Sequence, residues 1–136
     1  MGDLLKVLFS GRFDDSHNGH WGTILQLHNL FSSVLVVILD SPGRKHTAQY
    51  IQRIFQTLQF LSHISPQSLT IITNETHFAK LTKPEWDAFD CDVYAGGNQE
   101  VNDHMTSLGV PVYEQPRSFD FSARNYGPFP NQEAKS

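Results

Sequence analysis

Short apolar runs alternate along the chain with longer segments in which apolar residues recur every three or four positions. Five runs have the length and composition of buried strands, and they occupy residues 4–9, 34–39, 68–73, 92–95 and 110–113. Three of the intervening segments have the spacing of helices that bury one face, at residues 18–31, 48–61 and 98–108. This alternation predicts an α/β fold, a Rossmann-like three-layer α/β/α arrangement around a five-stranded parallel sheet.

Two stretches fit this pattern less well. Residues 75–88 predict at most a short helix around 77–81, because the residue before Pro84 disfavours the helical conformation. Residues 128–136 are polar and without periodicity, so we expect a loosely ordered tail there. Residues 1–127 are then expected to form one domain, which suits a chain of 136 residues.

Composition narrows the classes of function. The chain is 39% hydrophobic and 18% charged, with a formal net charge of -4, which argues against a general nucleic-acid surface. Cys91 is the single cysteine, so no disulfide can form within the chain and a cytoplasmic location is expected. The densest apolar run, residues 34–39, is too short to span a membrane, so we expect no membrane partner.

Three loops with unusual chemistry follow predicted strands, at residues 11–20, 40–47 and 96–99. Right-handed crossovers bring the carboxyl ends of parallel strands to one edge of the sheet, where ligands bind near the reversal of strand order. The second loop contains Arg44 and Lys45, and the third contains Gly97 and Asn98. We therefore expect all three loops to face one crevice, although Gly96 and Gly97 alone would indicate only a tight turn.

The first loop has the features of a phosphate site. A strand that turns directly into a helix presents unpaired backbone N–H groups and the positive end of the helix dipole to a ligand. His17 and His20 would add donors for an anion at the same place. A polar helix cap or half of a zinc site are the alternatives, but no second histidine pair and no further cysteine has the spacing to complete a zinc site.

Residues 11–20 read Gly-Arg-Phe-Asp-Asp-Ser-His-Asn-Gly-His and resemble the GxFDxxHxGH signature of the nucleotidylyltransferase superfamily. Every fixed position of that signature is present, at Gly11, Phe13, Asp14, His17, Gly19 and His20. The aspartate after the phenylalanine is most similar to cytidylyltransferase-type members such as glycerol-phosphate cytidylyltransferase. Arg12 is instead similar to nicotinamide-nucleotide adenylyltransferases, so the subfamily stays open.

The resemblance continues more weakly towards residue 125. Arg44 and Lys45 correspond to basic residues that the family often carries after its second strand, and Arg53 to a recurrent arginine that could equally be a solvated helix charge. Gly97 and Asn98 correspond to a glycine and an acidic residue, with asparagine in place of the acid. Residues 121–124 resemble the family's ISSTxxR phosphate-binding element in a compressed form that lacks one hydroxyl, and they include Ser122 and Arg124.

The resemblance implies transfer of a nucleoside monophosphate from CTP or ATP to a small phosphorylated acceptor, with release of pyrophosphate. An adenylyltransferase acting on a mononucleotide or a phosphopantetheine-like acceptor is the alternative, and a nucleotide-binding module without turnover is the second. Mg²⁺ is the implied cofactor, bridging phosphates rather than held by a metal site of the protein. Members of the family often form dimers, and Phe119 and Phe121 are compatible with a homodimer.

The implied site divides by role. His17, His20 and Lys45 are the predicted catalytic residues, and Arg53 is predicted to bind the acceptor substrate. In-line phosphoryl chemistry needs alignment and charge stabilisation more than covalent help, which is why donors and glycines dominate the set. The residues predicted to bind the nucleotide are Gly11, Arg12, Phe13, Asp14, Gly19, Arg44, Gly97, Asn98, Ser122 and Arg124.

Overall fold

The computed structural model describes residues 5–13 and 17–114, with backbone only at 17–19. Strands and helices alternate through these ranges, as the sequence predicts. The strands are β1 (Lys6–Gly11), β2 (Ser33–Leu39), β3 (Leu69–Asn74), β4 (Val93–Ala95) and β5 (Val112–Tyr113). The helices are α1 (His17–Leu30), α2 (Ala48–Leu61), α3 (Lys83–Phe89) and α4 (Gln99–Ser107), with a 3₁₀ turn at Phe78–Lys80.

The five strands form one parallel sheet in the order β3-β2-β1-β4-β5. The chain first moves outward from β1 to β3 and then returns to place β4 on the other side of β1. Leu8 in β1 is level with Leu35 in β2 and with Tyr94 in β4. The strand order therefore reverses at β1, which opens a crevice at the carboxyl ends of β1 and β4.

Each face of the sheet carries its own apolar cluster. Because successive strand residues point to opposite faces, Val7 packs with α1 and α2, whereas Leu8 packs with α3 and α4. Ile24 and Phe55 belong to the first cluster and Met105 to the second, and all three are fully buried. The three-layer architecture is thus confirmed, with a central strand that is apolar because it is covered on both sides.

Side-chain caps begin α2 and α4. Thr47 Oγ1 accepts a hydrogen bond from the Tyr50 backbone N–H at 3.1 Å and so caps α2. Asn98 Oδ1 accepts from the Val101 N–H at 3.2 Å and caps α4 in the same way. The position of Asn98 is therefore fixed by the helix that follows it.

The prediction of a short helix around residues 77–81 is confirmed by the 3₁₀ turn at Phe78–Lys80. The expectation of no further helix in residues 75–88 is wrong, because α3 begins at Lys83 with Pro84 in its first turn. Proline is tolerated there because the first N–H groups of a helix have no intrahelical partner. Thr82 and Glu85 form a capping box in which the Thr82 N–H donates to Glu85 Oε1 at 2.9 Å and the Thr82 hydroxyl accepts from the Glu85 N–H.

Replacing Thr82 with alanine should lower the free energy of unfolding by about 1 kcal/mol, because the substitution removes the acceptor of the capping box. Urea denaturation measures the change. Thr57→Ala is the control, since Thr57 is an exposed residue in the interior of α2 and lies outside any cap. Equal losses in the two variants would show that the capping box contributes nothing particular to α3.

Candidate functional site

A cleft of about 390 Å³ lies at the carboxyl ends of β1 and β4. Residues from six places in the fold line it: β1 and its following loop, α1, the end of β2, the segment after β3, β4, and the start of α4. Its apolar walls are Phe9, Phe13, Leu39, Phe78 and Val101. Its polar lining includes Ser10, Arg12, His20, Thr23, His77 and Asn98. The crevice expected from the strand order is therefore present.

The basic residues of the lining come from three elements. Arg12 follows β1, His20 lies in the first turn of α1, and His77 follows β3. Among the described residues that line the cleft there is no aspartate or glutamate. A cleft with basic and without acidic groups favours an anionic ligand, and its apolar walls strengthen the attraction by excluding water.

Phe13 shapes the entrance to α1. Its backbone φ is 53°, which is unusual for a bulky residue, yet its side chain is only 3% exposed. The ring centroid lies 5.5 Å from that of Phe55 in the core and 4.8 Å from that of His20, edge to face. A Cβ on Gly11 would come within 3.2 Å of the Phe13 ring, so glycine lets the ring fold beneath β1. The buried ring thus supports the imidazole that faces the cleft.

Two hydroxyl groups form part of the cleft floor. Ser10 Oγ and Tyr94 Oη lie 2.6 Å apart and join the carboxyl ends of β1 and β4. Burial raises the pKa of Tyr94 to about 12, against a smaller lowering by the Ser10 hydrogen bond. Asn102 Nδ2 donates to the Gly96 carbonyl at 3.2 Å and holds the turn above Tyr94. Ser10, Tyr94 and Asn102 thus connect this part of the site to neighbouring elements, although Asn102 Oδ1 is buried without a hydrogen-bond partner among the described residues.

The Tyr94 pKa predicts a dependence of stability on pH. The folded-state pKa of Tyr94 lies above the ordinary value of 10. The stabilising contribution of the protonated Tyr94 to the free energy of unfolding is therefore complete below pH 10 and is lost as the pH rises towards 12. Between these values, the free energy of unfolding of the wild type should fall more steeply with pH than that of Tyr94→Phe. Urea denaturation at several pH values measures both slopes, and parallel slopes would contradict the prediction.

The loop after β2 is arranged differently from the sequence prediction for Arg44. The Arg44 guanidinium donates to the backbone carbonyls of Leu39, Arg12 and His46, each at 2.7 Å. Its five N–H donors are thus engaged largely by backbone oxygens. Lys45 is exposed on the same loop, Arg53 is exposed on α2, and none of these three basic residues lines the cleft.

The structure therefore brings together only part of the predicted site. Gly11, Arg12, Phe13, His20, Gly97 and Asn98 line one cleft, and Asn98 also caps α4. Other predictions concern residues outside the described ranges, namely Asp14, Ser122, Arg124, the tail 128–136, Phe119 and Phe121. For His17 and Gly19 only the backbone, which belongs to the first turn of α1, is described.

Sequence reasoning missed His77. Residues 75–88 show no clear periodicity, so the sequence does not single out the segment after β3 as a strand-end loop. The rule that singled out the other loops applies here as well, because His77 comes three residues after β3 ends at Asn74. Phe78 fixes this segment by stacking on Tyr94 at 5.7 Å between ring centroids. His77 is thereby held at the rim of the cleft.

Magnesium is not provided for by these residues alone. In the ranges that the structure describes, no group of three or more His, Cys, Asp or Glu residues could hold a metal ion. Protein-bound Mg²⁺ in phosphate sites commonly relies on one or two carboxylates together with substrate phosphates, and the described lining contributes no carboxylate. The described part of the cleft thus offers donors for phosphate rather than ligands for a cation.

A parallel sheet with a basic cleft beside the Gly11–His20 signature is the arrangement that the resemblance to the nucleotidylyltransferase superfamily implies, and comparison with known proteins confirms that resemblance. The relatives are named phosphopantetheine adenylyltransferase. That of Prochlorococcus marinus subsp. pastoris is 32% identical over 71 residues, 52% of this chain and 43% of the relative. That of Synechococcus sp. strain CC9311 is 31% identical over 83 residues, 57% of this chain and 52% of the relative.

The chain spans about half the length of the curated relatives it matches. No family model matches it. The names of the relatives favour the adenylyltransferase alternative over the cytidylyltransferase interpretation that the sequence alone puts first.

A solved structure supports the fold independently. A protein of the universal stress protein family from Burkholderia pseudomallei superposes with a TM-score of 0.58, covering 85% of this chain and 98% of that one. At 11% identity the likeness concerns the fold alone.

Among the described helices, none is long and apolar enough to cross a membrane.

Proposed function

We propose that this protein is a nucleotidyltransferase that moves a nucleoside monophosphate from a nucleoside triphosphate to a small phosphorylated acceptor and releases pyrophosphate. The observation that carries the proposal is the cleft at the sheet's reversal point, where Arg12 and His20 of the signature segment line one cavity. Ligands bind at this point in open parallel sheets because the crossover loops diverge there. The apolar walls leave room for a base or an acceptor chain beside the phosphates.

The proposed donor is ATP, and the proposed acceptor is phosphopantetheine or a compound like it. The relatives named phosphopantetheine adenylyltransferase support this choice. CTP, which the signature segment also permits, becomes the competing donor in the tests below.

In the proposed reaction, an oxygen of the acceptor's phosphate attacks the α-phosphorus of the nucleotide. The bond from that phosphorus to the oxygen bridging the β-phosphate breaks, and pyrophosphate leaves with that oxygen. His20 is proposed to donate a hydrogen bond to the phosphate oxygens as their charge develops, and His17 to act beside it. Lys45 and Arg53 are exposed and lie outside the cleft lining. Lys45 is proposed to reach the leaving pyrophosphate or the acceptor's phosphate, and Arg53 the acceptor.

The remaining assignments of the resemblance belong to the same proposal. We assign Asp14, Gly19, Ser122 and Arg124 to the nucleotide, together with the lining residues Gly11, Arg12 and Gly97. The nucleotide is proposed to bring Mg²⁺ with it as a counter-ion of its phosphates, because the described lining offers no carboxylate.

Thermal denaturation with ATP, CTP, GTP and UTP, each with Mg²⁺, tests the nucleotide site. A ligand at a hundred times its dissociation constant stabilises the folded state by about 2.7 kcal/mol, which raises the melting temperature by several degrees for a domain of this size. We expect the largest shift with ATP. A larger shift with CTP would restore the cytidylyltransferase interpretation, and no shift with any nucleotide would overturn the proposal.

A nucleotide-binding module without turnover is the second candidate. It is favoured by the engagement of Arg44 with backbone carbonyls and by the positions of Lys45 and Arg53 outside the cleft lining. The turn 96–99 also contains no basic residue. A clear thermal shift with ATP, without pyrophosphate release across a panel of phosphorylated acceptors, would support this candidate against the enzyme.

Replacing His77 with asparagine should raise the KM of one substrate by about ten- to a hundredfold, because a hydrogen bond to a charged ligand contributes about 1.5–3 kcal/mol. Steady-state kinetics with either substrate varied identifies which one His77 contacts. His63→Asn is the control, since His63 is exposed in the α2–β3 turn and outside the cleft lining. An unchanged KM for both substrates would remove His77 from the site.

A further inference from the structure

Arg44 joins two crossover loops at the carboxyl edge of the sheet. Its Nη1 donates to the Leu39 carbonyl at the end of β2, and its Nε donates to the His46 carbonyl within its own loop. Its Nη2 donates to the Arg12 carbonyl, 32 residues earlier in the chain and directly after β1. All three donor–acceptor distances are 2.7 Å, which is short for N–H···O bonds and typical of a charged donor.

Such an arrangement requires an arginine. The planar guanidinium presents five N–H donors in a fixed fork, so one side chain can reach three carbonyls that lie in different directions. A lysine carries the same charge as a compact ammonium group on a flexible stem and cannot reproduce that fork. The role of Arg44 in this contact is therefore geometric as well as electrostatic.

The contact fixes the peptide bond that joins Arg12 to Phe13. On one side, Arg44 holds the carbonyl of Arg12. On the other side, the Phe13 ring is buried against Phe55 while its backbone keeps a positive φ. Both Arg12 and Phe13 line the cleft, and the Phe13 ring also supports His20. A constraint on this peptide is thus a constraint on Arg12 and His20, the two basic residues of the signature segment that line the cleft.

We propose that Arg44 is a positioning residue that clamps the loop after β1, rather than a phosphate ligand as the family resemblance implies. The inference rests on the proposed function, because it assigns a role within the same nucleotide site. As a phosphate ligand, Arg44 would have only two N–H donors beyond those given to its three carbonyl partners, and it would have to reach a cleft that it does not line.

Steady-state turnover distinguishes a clamping role of Arg44 from a phosphate-binding role. The variants to compare are Arg44→Lys, Arg44→Gln and the control Lys83→Gln. Lys83 pairs with Asp87 on the exposed surface of α3, so its substitution matches the charge change of Arg44→Gln without touching the clamp. If Arg44 clamps the loop, the kcat of Arg44→Lys should fall about as far as that of Arg44→Gln, so that the two values agree within about threefold. In both variants the KM for ATP should change less than kcat does. If Arg44→Lys keeps most of the activity that Arg44→Gln loses, or if the loss appears mainly in KM, the clamp is wrong and a phosphate contact is indicated.

Hydrogen–deuterium exchange of the free protein keeps this test separate from the proposed function. Without nucleotide, a peptide covering residues 9–13 should exchange faster in Arg44→Lys and in Arg44→Gln than in the wild type or Lys83→Gln. Unchanged exchange in both Arg44 variants would overturn the clamp even in an active enzyme. A wild type that releases no pyrophosphate would overturn the proposed function, while the exchange result would still decide the clamp.

Discussion

Replacement of His20 with alanine should lower the rate of pyrophosphate release by about a hundred- to a thousandfold, the loss typical when one preorganised donor to a developing negative charge is removed. His20 lies in the first turn of α1 and lines the cleft, with its imidazole in edge-to-face contact with the buried Phe13 ring. The loss should appear in kcat, because the donor acts most strongly on the charge that develops during transfer.

His28→Ala is the matched control for His20→Ala. His28 lies on the same helix, but its Nε2 is within hydrogen-bonding distance of Ser68 Oγ at 3.1 Å and it does not line the cleft. Its substitution should cost some stability and leave kcat within a factor of two or three of the wild type. Near-wild-type turnover by His20→Ala, with nucleotide still bound, would show that His20 is not a catalytic residue.

Replacement of Gly96 with alanine should destabilise the protein by about 1–3 kcal/mol, the usual cost of forcing extra volume into a packed interior. An added Cβ would lie 2.6 Å from Tyr94 Oη and 2.9 Å from the ring. Tyr94 cannot yield easily, because Ser10 holds its hydroxyl and Phe78 stacks on its ring. The floor of the cleft must therefore shift, and the affinity for nucleotide should fall together with the stability.

Gly97→Ala adds a Cβ to the same turn without a steric clash with Tyr94. A Cβ on Gly97 would have no atom within 4 Å and Gly97 has no positive φ, so the free energy of unfolding should change by no more than about 0.5 kcal/mol. Urea denaturation of both variants gives the comparison. Equal stabilities would mean that Tyr94 moves aside without cost and is not a rigid floor.

Much of the fold could be predicted from the sequence, because burial on both faces of a parallel sheet leaves a clear apolar pattern. The run at residues 34–39 is one such case, and β2 indeed occupies Ser33–Leu39. The helix α3 was missed because a proline was treated as a terminator, whereas the spacing of Thr82 and Glu85 already contained a capping box. Local start signals there outweigh the absence of periodicity.

The candidate site could be predicted only in part. The strand-end rule correctly identified Gly11, Arg12 and Gly97 as neighbours, because topology alone brings those loops together. It could not separate Arg12, which lines the cleft, from Arg44, which does not. The direction of a guanidinium depends on which carbonyls lie near it, and the Arg12 carbonyl reaches Arg44 only through the tertiary fold.

The most direct test of the proposed function is pyrophosphate release by the wild-type protein with Mg²⁺, phosphopantetheine, and either ATP or CTP. Each turnover should release one pyrophosphate and join one nucleoside monophosphate to the acceptor, with ATP preferred and with no release when the acceptor is omitted. The adenylylated acceptor can be identified by mass spectrometry. Absence of pyrophosphate with either nucleotide, across phosphopantetheine, mononucleotide and glycerol-phosphate acceptors, would contradict the assignment of this cleft to nucleotidyl transfer.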